Sequence, residues 1–123
     1  MEFNQLQMAA MVKAGNAMAL ADGKVVEKEL AVISTGLMRF GIVGDQVDLI
    51  LQLADALKPV DMISTLSCMT LEQKKFVCGY LSTIMASDAD IDESELKMWR
   101  FFSEIAGFPE MTVAEASAFW LKQ

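Results

Sequence analysis

The chain has 123 residues, of which 54% are apolar, so it can form one domain with a modest core and is too apolar for a disordered chain. Its formal net charge of −7 disfavours direct binding to nucleic-acid phosphates. The absence of histidine excludes histidine-based metal sites and Ser-His or Cys-His catalysis within the chain.

The cysteine spacing and the length of the apolar runs indicate in which cellular compartment the protein is expected. Cys68 and Cys78 are ten residues apart, which matches no redox or zinc pattern, so we expect free, buried thiols. Every apolar run is far shorter than the ~20 residues that span a bilayer, so direct membrane insertion is not expected. No basic segment precedes an apolar run near the start, and a cytoplasmic location is therefore expected.

Apolar residues recur every three or four positions in the first half of the chain, which predicts three helices. We expect them at about 4–21, 26–40 and 45–58. Gly41 is predicted to end the second helix, and Pro59 to end the third. The residues expected to face the core are Met8, Met11, Ala14, Met18 and Ala21, then Leu30, Ile33, Leu37 and Phe40, then Val47, Ile50, Leu51, Ala54 and Leu57.

The second half of the chain predicts four more helices. A short helix is expected at 61–68. Three capping boxes, starting at Thr70, Asp92 and Thr112, then open the fifth, sixth and last helices. The residues expected to face the core are Phe76, Val77, Tyr80, Leu81, Ile84 and Met85 in the fifth helix and Leu96, Trp99, Phe102 and Ile105 in the sixth. The predicted fold is all-α, a compact bundle of about seven helices in a single domain over 1–123.

Two acidic turns suggest an internal repeat. Segment 19–30 aligns with segment 85–96 when the sequence is shifted by 66 positions without a gap. The two copies would each consist of a helix, an acidic turn and a helix, related by a pseudo-two-fold axis. The residues paired by this shift are Asp22 with Asp88, Val25 with Ile91, Glu29 with Glu95, Leu30 with Leu96, and Gly41 with Gly107.

The second acidic turn places five carboxylates within eight residues: Asp88, Asp90, Asp92, Glu93 and Glu95. The negative charges of carboxylates this close together repel one another, which costs free energy unless something offsets it. The acids can cap the following helix, they can be screened by water and salt, or they can bind a hard cation such as Ca²⁺ or Mg²⁺. In a purely structural turn, the aspartates would bond the backbone of their own turn and the glutamates would reach back to nearby amides.

The spacing of Asp88, Asp90 and Asp92 is similar to the opening of an EF-hand loop, but the rest of that loop is missing. Its sixth position holds Glu93 in place of glycine, and its twelfth position holds Trp99 in place of a bidentate glutamate. An EF-hand is therefore not predicted.

The shared pattern, Asp-(Gly/Ala)-x-(Val/Ile)-x-Glu-x-Glu-Leu, resembles the TerB-like family of tellurite-resistance-associated helical domains, which is also similar to one end of a membrane-anchored DnaJ-type co-chaperone. The resemblance implies a compact bundle with an internal pseudo-two-fold axis and an acidic face that binds metal. By this resemblance, the metal face would consist of Asp22 and Glu29 from the first copy and Asp88 and Glu95 from the second. It implies no catalytic activity.

The leading functional hypothesis is a non-enzymatic cytoplasmic interaction or sensor domain of the TerB-like kind, with a protein partner and with modulation by a divalent cation as an option. The alternative from another class is a hydrolase that uses Asp22, Glu29, Asp88 and Glu95 as a carboxylate-only metal site. A purely structural scaffold is the third hypothesis. The sequence predicts neither the partner nor the oligomeric state.

Overall fold

The computed structural model describes residues 3–20, 45–86 and 93–122, and within these ranges the chain is helical, with no strand. The all-α prediction is therefore confirmed for the described part. The helix predicted at 26–40 lies outside it. The described ranges contain six helices: α1 (Gln5–Ala19), α2 (Asp45–Ala56), α3 (Pro59–Ser67), α4 (Leu71–Ala86), α5 (Glu93–Ile105) and α6 (Val113–Leu121).

Helix α1 is the central element, because it packs against α2, α3, α4 and α5. It is buried on more than one side, as expected for a helix surrounded by neighbours. Ala9 and Val12 form a small cluster with Ile50 and Ala54 of α2. The other buried apolar side chains of α1 belong to the main core, which also includes residues from α3, α4, α5 and α6.

The contact between α1 and α4 is close because α1 presents small residues there. A Cβ atom added at Gly15 would lie 2.8 Å from Cδ1 of Ile84 and 3.1 Å from the ring of Tyr80. Small residues of α1 therefore face large side chains of α4, and the two helices are in direct contact.

Among the described residues, three helices begin with a capping box, in which the N-cap side chain and the side chain of the third helical residue each accept a hydrogen bond from the other residue's backbone amide. The boxes predicted at Thr70 and Thr112 are confirmed. A third, at Asn4 with Gln7, escaped sequence analysis. Asp92, the predicted cap of α5, lies outside the described residues.

The end of α5 is set by Gly107, which has φ of +67°. The amide of Phe108 donates to the carbonyl oxygen of Ser103 over 3.2 Å, the pattern of a Schellman motif. Phe108 is thereby turned back onto Phe102, with their ring centroids 6.4 Å apart. In the sequence, a glycine just past the last apolar residue and Pro109 two residues later are a stop signal, and α5 does end at Ile105.

Several predicted core positions are wrong. Leu51 is 38% exposed because α2 packs on α1 through Ile50 and Ala54, and Leu51 is turned away from that face. Ile105 is 48% exposed. Cys68 is exposed, although Cys78 is buried as expected, and both thiols are free.

Candidate interaction surface

An apolar groove of about 440 Å³ lies between α3 and α5, and we call it the α3–α5 groove. Buried side chains of the main core, among them Met62 and Phe102, reach its inner wall. Its rim is exposed: Val60 is 70% exposed, and Phe101 and Ile105 are each 48% exposed. The lining residues are Ala17 from α1, Pro59, Val60, Met62 and Ile63 from α3, and Met98, Phe101, Phe102 and Ile105 from α5.

The periodicity of α5 explains why part of its apolar surface remains exposed to solvent. Its predicted seam runs in steps of three residues, and each step falls short of a full turn by about 60°. The seam therefore drifts around the helix. Trp99 and Phe102 in the middle are buried, whereas Leu96 before them is half-buried and Ile105 after them is exposed.

Phe101 is the exposed neighbour of a buried ring. Its ring centroid lies 6.0 Å from that of Phe102, with the two planes at 63°. Phe102 is only 1% exposed, so its ring is held in the core and provides Phe101 with a fixed surface to pack against. The exposed ring is held at the rim of the α3–α5 groove by this contact.

The apolar surface continues along α5 toward its start. A second hollow of about 380 Å³ is lined by Ser94, Lys97, Met98 and Phe101, and it shares Met98 and Phe101 with the groove. Lys97 is exposed, with Nζ 3.9 Å from Oε1 of Glu93. Because both groups are solvated, that pair contributes little to stability.

A third hollow, of about 460 Å³, lies on the other side of α5 and is polar. Its lining is Trp99, Arg100, Ser103, Glu104, Glu110, Met111, Thr112 and Glu115. Hydrogen bonds from the backbone and side chain of Thr112 hold the pKa of Glu115 below its usual value. These bonds belong to the capping box of α6, so Glu115 already has a structural role.

Of the four residues predicted to hold a metal, only Glu95 is described. Asp22, Glu29 and Asp88 lie outside the described residues, so their convergence stays a prediction. Glu95 is 4% exposed and is the third residue of α5. Gln7, Gln73 and Glu115 hold the same position in α1, α4 and α6, where each bonds the cap amide.

The described residues contain no alternative metal centre. Across 3–20, 45–86 and 93–122, no three side chains of Cys, Asp or Glu are grouped so that they could hold an ion. The three glutamates of the polar hollow are thus not arranged as ligands. In the same ranges, no helix is long and apolar enough to cross a membrane.

The α3–α5 groove was not predicted from the sequence, although a signal for it was present. Met98, Phe101 and Ile105 are spaced by three and four residues, which is a second apolar stripe beside the buried one. The sequence around Val60 does not indicate that this residue is exposed, because an apolar residue in a short helix is ordinarily expected to face the core. Only the placement of α3 beside α5 makes these residues into one surface.

Neither a protein-family model nor a curated protein matches the chain. A solved structure does: the crystal structure of a protein of unknown function, PG1108, from Porphyromonas gingivalis W83. The sequences are 41% identical, the match covers 98% of this chain and 92% of that chain, and the TM-score is 0.88. The chain therefore belongs to the same family as this P. gingivalis protein.

Proposed function

We propose that this protein is a non-catalytic interaction domain that binds a protein partner in the α3–α5 groove. The observation that carries the proposal is the exposure of Val60, Phe101 and Ile105 around one apolar groove on a chain of net charge −7. Contiguous exposed apolar surface on a soluble fold marks interaction sites more often than scattered single residues do.

The chemistry of the groove favours a protein partner over a small polar ligand. Small-molecule sites combine apolar walls with a few polar groups that fix orientation. All nine side chains that line this groove are apolar. An amphipathic helix needs no such groups, since it inserts apolar side chains spaced by three and four residues.

A divalent cation is a candidate modulator of this surface. The acidic segment leads directly into α5, and Glu95 in the first turn of α5 is buried. The same helix carries Met98, Phe101 and Ile105 of the groove. An ion held by Asp22, Glu29, Asp88 and Glu95 would therefore act on the helix that forms one wall of the binding surface.

The hydrolase hypothesis requires these four carboxylates to meet at an open cleft, and the buried state of Glu95 does not favour it.

The TerB-like assignment, with its cytoplasmic location and its internal repeat, is part of the same proposal. It rests on the two acidic motifs and on the 66-residue offset. Two features of the described helices agree with that offset. Helix α1 begins at Gln5 and α4 at Leu71, and their caps Asn4 and Thr70 are separated by the same distance in sequence. Superposition of 8–42 on 74–108 in an experimental structure tests the repeat, and helix pairs that cross at unrelated angles would refute it.

Site-specific crosslinking in cells tests the interaction function. The photoreactive residue p-benzoylphenylalanine would replace Phe101, and the chain would be expressed at its native level. The matched control carries the same residue at Leu71, which is 57% exposed at the start of α4 and does not line the groove. We expect an adduct of defined mass at position 101 and none at position 71.

Two variants define specificity. Val60→Asp, made together with the photoreactive residue at 101, should abolish the adduct because a charge at the rim must then be desolvated. Val60 is exposed, so the fold should tolerate this change. No adduct at position 101, or equal labelling at 71 and 101, would overturn the proposed function.

A further inference from the structure

Building on the proposed function, we infer that the occupant of the α3–α5 groove is a second copy of this chain, with the two α5 helices packed antiparallel across a two-fold axis. The inference rests on a stripe of α5 residues that the chain's own core leaves partly or largely exposed. Ser94, Met98, Phe101 and Ile105 follow one another at spacings of four, three and four. This is the alternation of a and d positions in a coiled-coil seam.

The members of this stripe form one surface of α5. Met98, Phe101 and Ile105 line the α3–α5 groove, and Ser94 lines the adjoining hollow together with Met98 and Phe101. The side of α5 beside this stripe that holds Glu95 and Phe102 is buried in the chain's own core. Only the other side is available to flank a partner helix.

That available flank carries two opposite charges seven residues apart. Lys97 directly precedes Met98, and Glu104 directly precedes Ile105, so both occupy the g position of the heptad. Both are exposed. Charges at such flanking positions set the choice and orientation of the partner helix in coiled coils.

The flank is self-complementary only in the antiparallel arrangement. A two-fold axis beside the seam that places Met98 of one copy against Phe101 of the other also places Ser94 against Ile105. The same register brings Lys97 of one copy to Glu104 of the other, and symmetry repeats the pair. In a parallel arrangement, each g position would instead face an e position of the partner. The e positions here are Glu95 and Phe102, which are buried in the chain's own core, so a parallel pair is excluded.

The size of the surface predicts a weak dimer. Helix α5 has 13 residues, so the seam is about 20 Å long. Stable interfaces bury about 800 Å² on each partner, which a single short helix and the adjacent rim of α3 barely supply. Each copy also carries a charge of −7. We therefore expect dissociation constants of about 10–100 µM at physiological salt.

A charge-exchange series measured by sedimentation velocity tests this arrangement. The variants are Lys97→Glu, Glu104→Lys and the double variant, which has the same net charge as the wild type. Each single variant should weaken dimerisation about tenfold, because two like-charge pairs replace two attractive ones. The double variant should restore the wild-type dissociation constant to within about threefold.

Mixing the two single variants provides a second, independent test. The resulting heterodimer pairs two glutamates on one chain with two lysines on the other, so both contacts become attractive. It should form at concentrations where either variant alone is monomeric. Phe101→Asp, an exposed position, should abolish every dimer while circular dichroism shows an intact fold.

Two outcomes would overturn the inference: a wild type that stays monomeric at about 1 mM, far above the expected constant, or a double variant as weak as the single ones. Crosslinking at position 101 separates this failure from failure of the proposed function. An adduct with a different protein would leave the interaction function standing and remove the homodimer. An adduct of twice the chain mass supports both.

Discussion

The side-chain amide of Gln73 donates a hydrogen bond to the side-chain oxygen of Gln7, with 3.4 Å between nitrogen and oxygen. The same oxygen of Gln7 accepts from the backbone amide of Asn4 over 2.9 Å. The side-chain oxygen of Gln73 accepts from the backbone amide of Thr70 over 3.0 Å. The capping boxes of α1 and α4 are thus linked, and the first turns of two core helices stabilise each other.

This link predicts an energetic coupling between Gln7 and Gln73. In a double-mutant cycle of Gln7→Ala and Gln73→Ala, the two losses of unfolding free energy should be non-additive by about 0.5 kcal/mol, a low value because the bond is long. Urea denaturation of the four proteins gives the coupling. Losses that add to within about 0.2 kcal/mol would mean that the bond has no effect on stability.

Trp99 should be the most costly side chain of α5 to remove. It is 8% exposed, and its indole nitrogen donates to the carbonyl oxygen of Met111 over 3.3 Å. Trp99→Ala should lower the free energy of unfolding by about 3–5 kcal/mol, since it leaves a cavity and an unpaired carbonyl. Chemical denaturation of the variant and the wild type measures this loss.

The matched control is Phe101→Ala on the same helix, which should lower the free energy of unfolding by about 0.5 kcal/mol because its ring is half exposed. Equal losses for the two variants would contradict the assigned helix face.

The buried thiol predicts a loss of stability at high pH. Burial raises the pKa of Cys78 to about 12, whereas in the unfolded chain the thiol ionises near about 8.5. Above that lower value the unfolded state binds fewer protons than the folded state, so the free energy of unfolding falls as pH rises, until about pH 12. The slope approaches about 1.4 kcal/mol per pH unit.

Urea denaturation between pH 8 and pH 10 tests this dependence. The variant Cys78→Ala should have a shallower slope than the wild type. The matched control is Cys68→Ala, which removes an exposed thiol and should leave the slope unchanged. Burial also raises the pKa of Tyr80, so the free energy of unfolding of Cys78→Ala should still fall above about pH 10, where tyrosine ionises in the unfolded chain. A slope unaffected by either substitution would show that the buried thiol ionises as readily as an exposed one.

A divalent cation should stabilise the protein if the acidic segments bind it. An incomplete oxygen site is expected to bind Ca²⁺ with a dissociation constant of about 10⁻⁴–10⁻³ M. At ten times that concentration, linkage adds about 1.4 kcal/mol and raises the melting temperature. Ionic strength must be matched with a monovalent salt, because screening alone also helps an acidic protein.

Paired neutralising variants separate a site from general charge. Asp88→Asn/Glu95→Gln should remove the Ca²⁺-specific part of the shift. The control Asp48→Asn/Glu72→Gln changes charge equally at exposed positions on α2 and α4 and should keep it. Absence of a divalent-specific shift at several times 10⁻³ M would assign the acidic turns a structural role only.

Local features were readable from the sequence because they depend on residues only three to five positions apart. The capping boxes at Thr70 and Thr112 require only an N-cap side chain and a partner three residues later. The stop at Gly107 depends on the positive φ that glycine adopts readily. These features define where α4 and α6 begin and where α5 ends.

The exposed surface was decided by tertiary packing. Phe101 and Phe102 are adjacent in the sequence, yet one is 48% exposed and the other 1%. Both belong to apolar stripes with helical spacing, so periodicity cannot choose between them. The choice follows from where α1 and α3 meet α5, and those contacts join segments distant in the chain. The α3–α5 groove exists for the same reason: α3 leaves Val60 beside an apolar stripe of α5 that the core does not cover.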